Sequence, residues 1–248
     1  MRRSLLVLAL LAGPADAEPP RRVVVETPPQ SLAEQAAPAT VLFLNRCTGG
    51  CLVTQNGTND ARNQKTSILP NPGEYLISEF HNDAGLGGSA ADDEWNQIVT
   101  CVKDVYSPYN ITVTDVQPAD GVIYNEAIVA GSPGETQEAS DILGIAPLAN
   151  NCSAEANVIS FSFANQHTTP DRVHNICWTA SQESAHAYGL DHEYLCKDVM
   201  TYQTGCGNKS FVDQDAPCGE SKKRACEGGA KTQNSYQRLI SVLGAKRP

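Results

Sequence analysis

The stretch Ser181-Gln-Glu-Ser-Ala-His-Ala-Tyr-Gly-Leu-Asp-His192 decides which fold this chain is expected to adopt. If its first part is helical, Gln182 and His186 project from one face of the helix, one turn apart. That is the spacing of two metal ligands on a helix. Gly189 can end the helix in a left-handed conformation that is costly for other residues, and so can bring His192 back toward the same point. The three polar side chains are therefore predicted to converge on one metal ion.

Two further features accompany this stretch. Glu183 lies beside the first predicted ligand, where a carboxylate can reach a metal-bound water without binding the metal. The sequence Asp198-Val-Met-Thr-Tyr202 follows at short range. Together they resemble the signature of the metzincin zinc metallopeptidases (astacins, reprolysins and matrixins), HExxHxxGxxH followed by a Met-turn, with Gln182 in place of the first histidine. The residues that match the pattern are Glu183, His186, Gly189, His192, Met200 and Tyr202.

The resemblance implies a secreted zinc-dependent endopeptidase. The implied ligands of one catalytic zinc ion are Gln182, His186 and His192. Glu183 would be the general base, Tyr202 would donate a hydrogen bond to the oxyanion, and Met200 would form an apolar floor under the ligands. The family's edge strand, which pairs with extended substrate, corresponds to Leu143-Gly-Ile-Ala146.

Gln182 leaves two interpretations open. An amide oxygen is neutral, as imidazole is, but it is a poorer zinc ligand. Weakening one ligand by about 2 to 3 kcal/mol lowers the affinity roughly 30- to 150-fold, which still leaves a site worth about 10 to 16 kcal/mol occupied. The chain is then either an active peptidase or a metzincin-like fold with a decayed metal site that binds or inhibits proteins through its cleft. The histidines that could replace the amide as a ligand are His81, His167 and His174.

Residues 1–17 have the layout of a secretory signal peptide, with Arg2 and Arg3, the apolar run Leu5 to Leu11, and small residues at the end. The apolar run is too short to span a bilayer, and no later stretch approaches the roughly 20 residues of a transmembrane helix. We therefore expect a protein secreted to the extracellular space or the periplasm.

The charge balance constrains the partners. The chain has 248 residues, of which 18 are basic and 28 acidic, for a formal net charge of -10. This acidity argues against nucleic acid and anionic membranes as partners, and we expect a monomer that acts on protein or peptide substrates. The nine cysteines should largely pair in an oxidising compartment, and their odd number leaves one without a partner in the chain.

Residues 18–70 are predicted to be a linker or a pro-segment, because their first part is rich in Pro, Ala, Glu and Gln. Val41 to Leu44 resembles a short strand within it. Cys47 and Cys51 flank a Gly-Gly pair and predict a local disulfide. The alternative is that Cys47 binds the metal as an inhibitory thiolate, as a pro-segment cysteine does in matrixins.

Residues 71–248 are predicted to form an α/β (α+β) domain with a twisted mixed sheet and two long helices, divided into an upper part (71–189) and a lower part (190–248). The predicted elements are strands at 75–80, 111–116, 122–130, 142–148 and 157–163 and helices at 89–106 and from about 170, with Thr169 as N-cap. On the second helix Gln182 and His186 lie opposite the apolar stripe, so they are not expected to be core residues.

The lower part is predicted to be a small loop-rich subdomain held by disulfides and closed by a helix at 232–243. Its cysteines are Cys196, Cys206, Cys218 and Cys226. A zinc site made of these four cysteines is the alternative to disulfides.

Overall fold

The computed structural model describes residues 20–30, 38–168 and 170–247, so the predicted signal peptide and the predicted cap Thr169 lie outside the described residues. Within them the chain forms nine strands and three α-helices. The strands are β1 (Arg21–Thr27), β2 (Val41–Asn45), β3 (Cys51–Gln55), β4 (Lys65–Thr66), β5 (Gly73–Ile77), β6 (Thr112–Thr114), β7 (Asn125–Val129), β8 (Ile142–Ala149) and β9 (Ile159–Ser162). The helices are α1 (Asp92–Val105), α2 (Arg172–His186) and α3 (Ser235–Leu243).

The larger sheet contains six strands in the order β1-β8-β9-β7-β2-β6. β8 and β9 are antiparallel, and the other neighbours are parallel. Parallel strands covered on both faces are buried throughout, as all five residues of β7 are here. The second sheet has the order β4-β3-β5. The predicted mixed α/β fold class is therefore confirmed.

Both predicted long helices are present. α1 begins with acidic residues at Asp92, Asp93 and Glu94, which interact favourably with the positive end of the helix dipole. Its buried face consists of Trp95, Ile98, Val99 and Val102. The disulfide Cys101–Cys177 joins α1 to α2, and α2 packs against β7, β8 and β9. The helix that carries the signature is thus held between the sheet and α1.

The expectation that Gln182 and His186 lie outside the core is wrong, since these residues are only 1% and 0% exposed. The helical period correctly places them away from the apolar stripe, but the second side of α2 is covered too. The hydroxyl of Tyr106 donates to the carbonyl of Ser181, and the ring of His192 packs against that of His186. α2 is therefore enclosed by tertiary packing that its own sequence does not reveal.

The interval 18–70 contributes β1 to β4, so its prediction as a linker is wrong for the described residues. β2 lies between β7 and β6 inside the larger sheet. The predicted boundary at residue 70 consequently does not separate two folded units. The interpretation of this interval as a pro-segment stays a prediction.

Residues 190–247 form the loop-rich subdomain that ends in α3, as predicted. The disulfides here and near β3 are Cys196–Cys206, Cys218–Cys226 and Cys47–Cys51. The alternative prediction, a zinc site made of the four cysteines of the lower part, is therefore wrong. Cys152 is the free cysteine of the described chain. Among the described helices, none has the length and apolar character needed to cross a membrane.

The buried carboxyl of Glu126 in β7 makes stability depend on pH. It accepts hydrogen bonds from Asn45 (2.7 Å) and Gln64 (2.8 Å), and burial raises its pKa from 4.5 to about 7. Between these values the folded chain binds more protons than the unfolded chain, so stability falls as pH rises through this window.

Glu126→Gln is expected to flatten this pH dependence and to stabilise the fold above pH 7 by about 3 kcal/mol, because the substituted side chain has no proton to lose. The measurement is the free energy of unfolding in denaturant between pH 4.5 and 8. The same pH slope in the variant and the unmodified chain would contradict it.

Candidate metal centre

The turn after α2 brings two histidines together. Gly189 has a φ of 80°, in the left-handed region that favours glycine, and its N–H donates to the His186 carbonyl over 2.9 Å. A side chain at this position would collide with the carbonyl oxygen of Cys152. The chain then reverses, and the ring centroids of His186 and His192 lie 4.8 Å apart.

In both rings Nε2 is the nitrogen without a hydrogen-bond partner among the described residues. Nδ1 of His186 lies 2.6 Å from the carbonyl oxygen of Leu190, and Nδ1 of His192 lies 3.0 Å from Oε1 of Glu220. Because a carbonyl and a carboxylate only accept, each Nδ1 carries the proton. Each Nε2 then has a lone pair, which is the form that binds a metal. Burial, together with the neighbouring His192, holds the pKa of His186 well below its usual range.

Buried polar atoms without a hydrogen-bond partner in the described chain are concentrated on α2 and this turn. Those that could bind a metal or its water are Nε2 of His186 and of His192, both amide atoms of Gln182 and both carboxylate oxygens of Glu183. Oγ of Ser181 and one carboxylate oxygen of Glu193 are in the same condition on these segments, and a smaller number of such atoms lie elsewhere. Leaving one such atom unsatisfied costs about 1 to 3 kcal/mol. A bound cation and its water would satisfy several of these atoms at once.

Glu183 lies against β8 in a space that a glycine provides. A Cβ added to Gly144 would come within 2.6 Å of Cγ of Glu183. Burial raises the pKa of Glu183 well above its usual range, and the positive charge of Arg22 offsets part of that shift. Perturbed buried carboxyls of this kind are characteristic of functional sites.

Tyr202 reaches the site from the C-terminal subdomain. Its ring centroid lies 4.5 Å from that of His192, and its hydroxyl accepts the N–H of Arg22 over 2.7 Å. Burial raises the pKa of Tyr202 above its usual range, so the phenol keeps its proton. Met200 is fully buried, and its N–H donates to Asp198 over 2.7 Å. This hydrogen bond stabilises the turn that carries Met200 and Tyr202.

The residues that support His192 were missed by the sequence analysis. Arg224 donates to Oε1 of Glu220 over 2.6 Å and to both oxygens of Asp191 over 2.5 and 2.8 Å. Asp191 also accepts the N–H of His192 over 2.6 Å. His192 and the two carboxylates are close enough to hold an ion themselves, but both carboxylates are already paired with the guanidinium of Arg224. No local spacing reveals this network, because Glu220 is 28 residues from His192.

Glu220→Ala is expected to weaken zinc binding about 10- to 100-fold, which is the usual effect of removing a carboxylate that orients a histidine ligand. Glu227→Ala is the matched control, because Glu227 pairs with the same Arg224 at 3.5 Å, whereas Nδ1 of His192 bonds to Glu220. The affinity is measured by competition with a chromophoric chelator. An equal loss in the two variants would contradict a direct role for Glu220.

Two of the other candidate ligands from the sequence, His174 and Cys47, have partners of their own. The ring of His174 stacks on Trp178 with centroids 5.5 Å apart. Cys47 is bonded to Cys51, so it offers no thiolate and the inhibitory-thiolate alternative is wrong for this state. His167 precedes α2, whereas Gln182 lies in its last turns, and Nε2 of His167 is itself buried without a hydrogen-bond partner among the described residues.

The side chains present fit a zinc ion. Two imidazole nitrogens and one amide oxygen make three protein ligands, the number that leaves a fourth position for water in catalytic zinc sites. The amide is the weak member of the set. Gln182, His186 and His192 are therefore the residues that would hold the metal.

No model of a known protein family matches this chain, and no curated protein matches it either. The resemblance to metzincins thus depends on the signature residues alone.

Proposed function

We propose that this protein is a secreted zinc-dependent endopeptidase. The observation that carries the proposal is the set of buried atoms without partners on α2 and the turn after it, which comprises two imidazole nitrogens, an amide and a carboxylate. Glu183, His186 and His192 match the metzincin signature, and Gln182 takes the place of its first histidine. The disulfides of the described chain agree with export to an oxidising compartment.

Each residue has a defined task in this proposal. A bound zinc ion supplies Lewis acidity, which lowers the pKa of water and polarises a peptide carbonyl. Glu183 takes the proton of the attacking water and returns it to the leaving amine. Tyr202 donates its phenolic proton as a hydrogen bond to the oxyanion. Glu220 holds the ring of His192 in the orientation that directs Nε2 into the site.

A protein-binding or inhibitory module with a weakened metal site is the second candidate. Gln182 favours it, because an amide oxygen binds zinc less strongly than imidazole does. Glu183 favours the peptidase, because burying a carboxyl without a partner is costly and brings no benefit to a module that only binds.

Metal content and chelator-sensitive proteolysis test the proposal together. We expect about one zinc per chain, as in a mononuclear catalytic site. Cleavage of a denatured protein should stop with chelator and return with zinc. A chain that binds no zinc at saturating concentrations would exclude the peptidase and leave the second candidate.

A further inference from the structure

The outer edge of β8 is covered by another part of the chain. The resemblance to metzincins predicts that this edge, at Leu143 to Ala146, pairs with a peptide substrate. Instead, all of Arg21–Thr27 pairs with it in parallel. β1 is the terminal strand of the sheet and has β8 as its one neighbour among the described strands. An extended segment of the chain itself therefore lies where a substrate was expected.

The burial pattern of β1 differs from that of a core strand. Its buried residues are Arg22 and Thr27, which are polar and 9% and 6% exposed, whereas the three valines at 23–25 are only half-buried. A strand held by the hydrophobic effect buries its apolar side chains. β1 is held by main-chain pairing, by the packing of Val23 and Val25 against the core, and by polar contacts near its ends, including the one from Thr27 to Glu155 over 3.1 Å.

Arg22 reaches the candidate metal centre. Its N–H donates to the hydroxyl of Tyr202 over 2.7 Å, and its Nε donates to Oγ1 of Thr179 over 3.1 Å. Thr179 lies one turn before Glu183 on α2. Gly144, the register partner of Arg22, is the glycine whose missing side chain leaves room for Glu183. The arginine thus lies beside the edge of β8, and its charge interacts with that of the candidate base.

We propose that Arg21–Thr27 is a displaceable internal ligand, which fills a peptide-binding groove along β8 and closes the metal centre with Arg22 until it leaves. The proposal rests on the proposed function for the purpose of that groove. The peptide that the groove takes is an extended segment, bound through main-chain pairing to the strand edge, with arginine at the position that faces Thr179.

The contacts of Arg22 explain why β1 can leave. A buried guanidinium is costly unless its donors are satisfied, and the side-chain hydrogen bond described for Arg22 is the single one to Thr179. Undocking returns this charge to water and exposes three valines that are only partly buried, of which Val23 and Val25 pack against the core. An edge strand without a fully buried apolar side chain is expected to open more readily than the strands of the sheet interior.

The test compares two adjacent arginines in the full chain. Arg22→Ala removes the buried side chain, whereas Arg21→Ala removes the exposed one, which pairs with Asp141 at the surface. A fluorescent peptide of residues 20–28 is titrated into each variant with chelator present, so that cleavage does not interfere, and its anisotropy is followed. A tethered strand competes at an effective concentration of roughly millimolar. We expect the peptide to bind Arg22→Ala at least about tenfold more tightly than Arg21→Ala or the unmodified chain.

Equal peptide binding by all three folded chains would overturn the proposal. Hydrogen exchange of the unmodified chain gives a second test that needs no variant. The amides of β1 should exchange faster than those of β2 in the sheet interior, whereas equal protection of the two strands would make β1 a permanent part of the fold.

The two proposals fail in different ways. Peptide binding by Arg22→Ala without any zinc-dependent cleavage would support the groove and remove the peptidase. Zinc-dependent cleavage by the unmodified chain at the same rate as by Arg22→Ala would support the peptidase and remove the internal ligand.

Discussion

Glu183→Gln is expected to lower kcat for peptide-bond cleavage about 10²- to 10⁴-fold, the usual contribution of a general base. The amide has nearly the shape of the carboxylate, so it fits the space opposite Gly144, but it cannot take a proton from water. Zinc content should not change, because Glu183 is not one of the three candidate ligands. Glu183→Ala should abolish cleavage as well, without loss of the fold.

Cleavage is compared in the unmodified chain and in the Arg22→Ala variant, where the edge of β8 is expected to be open. Glu126→Gln is the matched control, because Glu126 is also a buried glutamate, 1% exposed. It lies on β7, and its partner Asn45 lies on β2, which is three strands from β8 in the sheet. Cleavage at an unchanged rate in Glu183→Gln would mean that another group is the base.

Gln182→His is expected to tighten zinc binding roughly 30- to 150-fold, because imidazole nitrogen replaces a weaker amide oxygen at a gain of about 2 to 3 kcal/mol. Position 182 is buried and its amide atoms have no partner among the described residues, so the new ring breaks no existing hydrogen bond there. Gln182→Ala should weaken binding relative to the unmodified chain.

Competition with a chromophoric chelator measures both affinities under the same conditions. Gln166→His is the matched control, because it adds a histidine at a residue whose amide bonds to the carbonyl of Ser140, outside the centre. Tightening of the same size in the control, or none in Gln182→His, would show that residue 182 is not a ligand.

Local pattern predicted most of the fold from this sequence. The helical repeat of Trp95, Ile98 and Val99 predicted α1, and the alternation of Ile159 and Phe161 with serines predicted β9. β1 was missed because prolines and alanines flank it, although Val23 to Val25 is a run of residues that favour strands. Its partner lies 121 residues away, since Arg21 pairs with Ile142, and no local pattern reports such a pairing.

The residues of the candidate site were likewise predicted only where they are close in sequence. His186, Gly189 and His192 are close in sequence, so one helix and one turn bring them together, and their spacing alone predicts that arrangement. The groups that close and support the site, Arg22 and Glu220, arrive from distant segments through tertiary packing. Sequence therefore predicted the candidate ligands and missed the residues that control their orientation and their access.

Zinc K-edge X-ray absorption of the zinc-loaded protein tests the central claim most directly, since it reports which atoms bind the metal. We predict a first shell of nitrogen and oxygen at about 2.0 to 2.1 Å, with the scattering pattern of two imidazoles, and with one imidazole fewer after His192→Ala. Sulfur at about 2.3 Å, or an imidazole count that does not change in this variant, would contradict a site built from Gln182, His186 and His192.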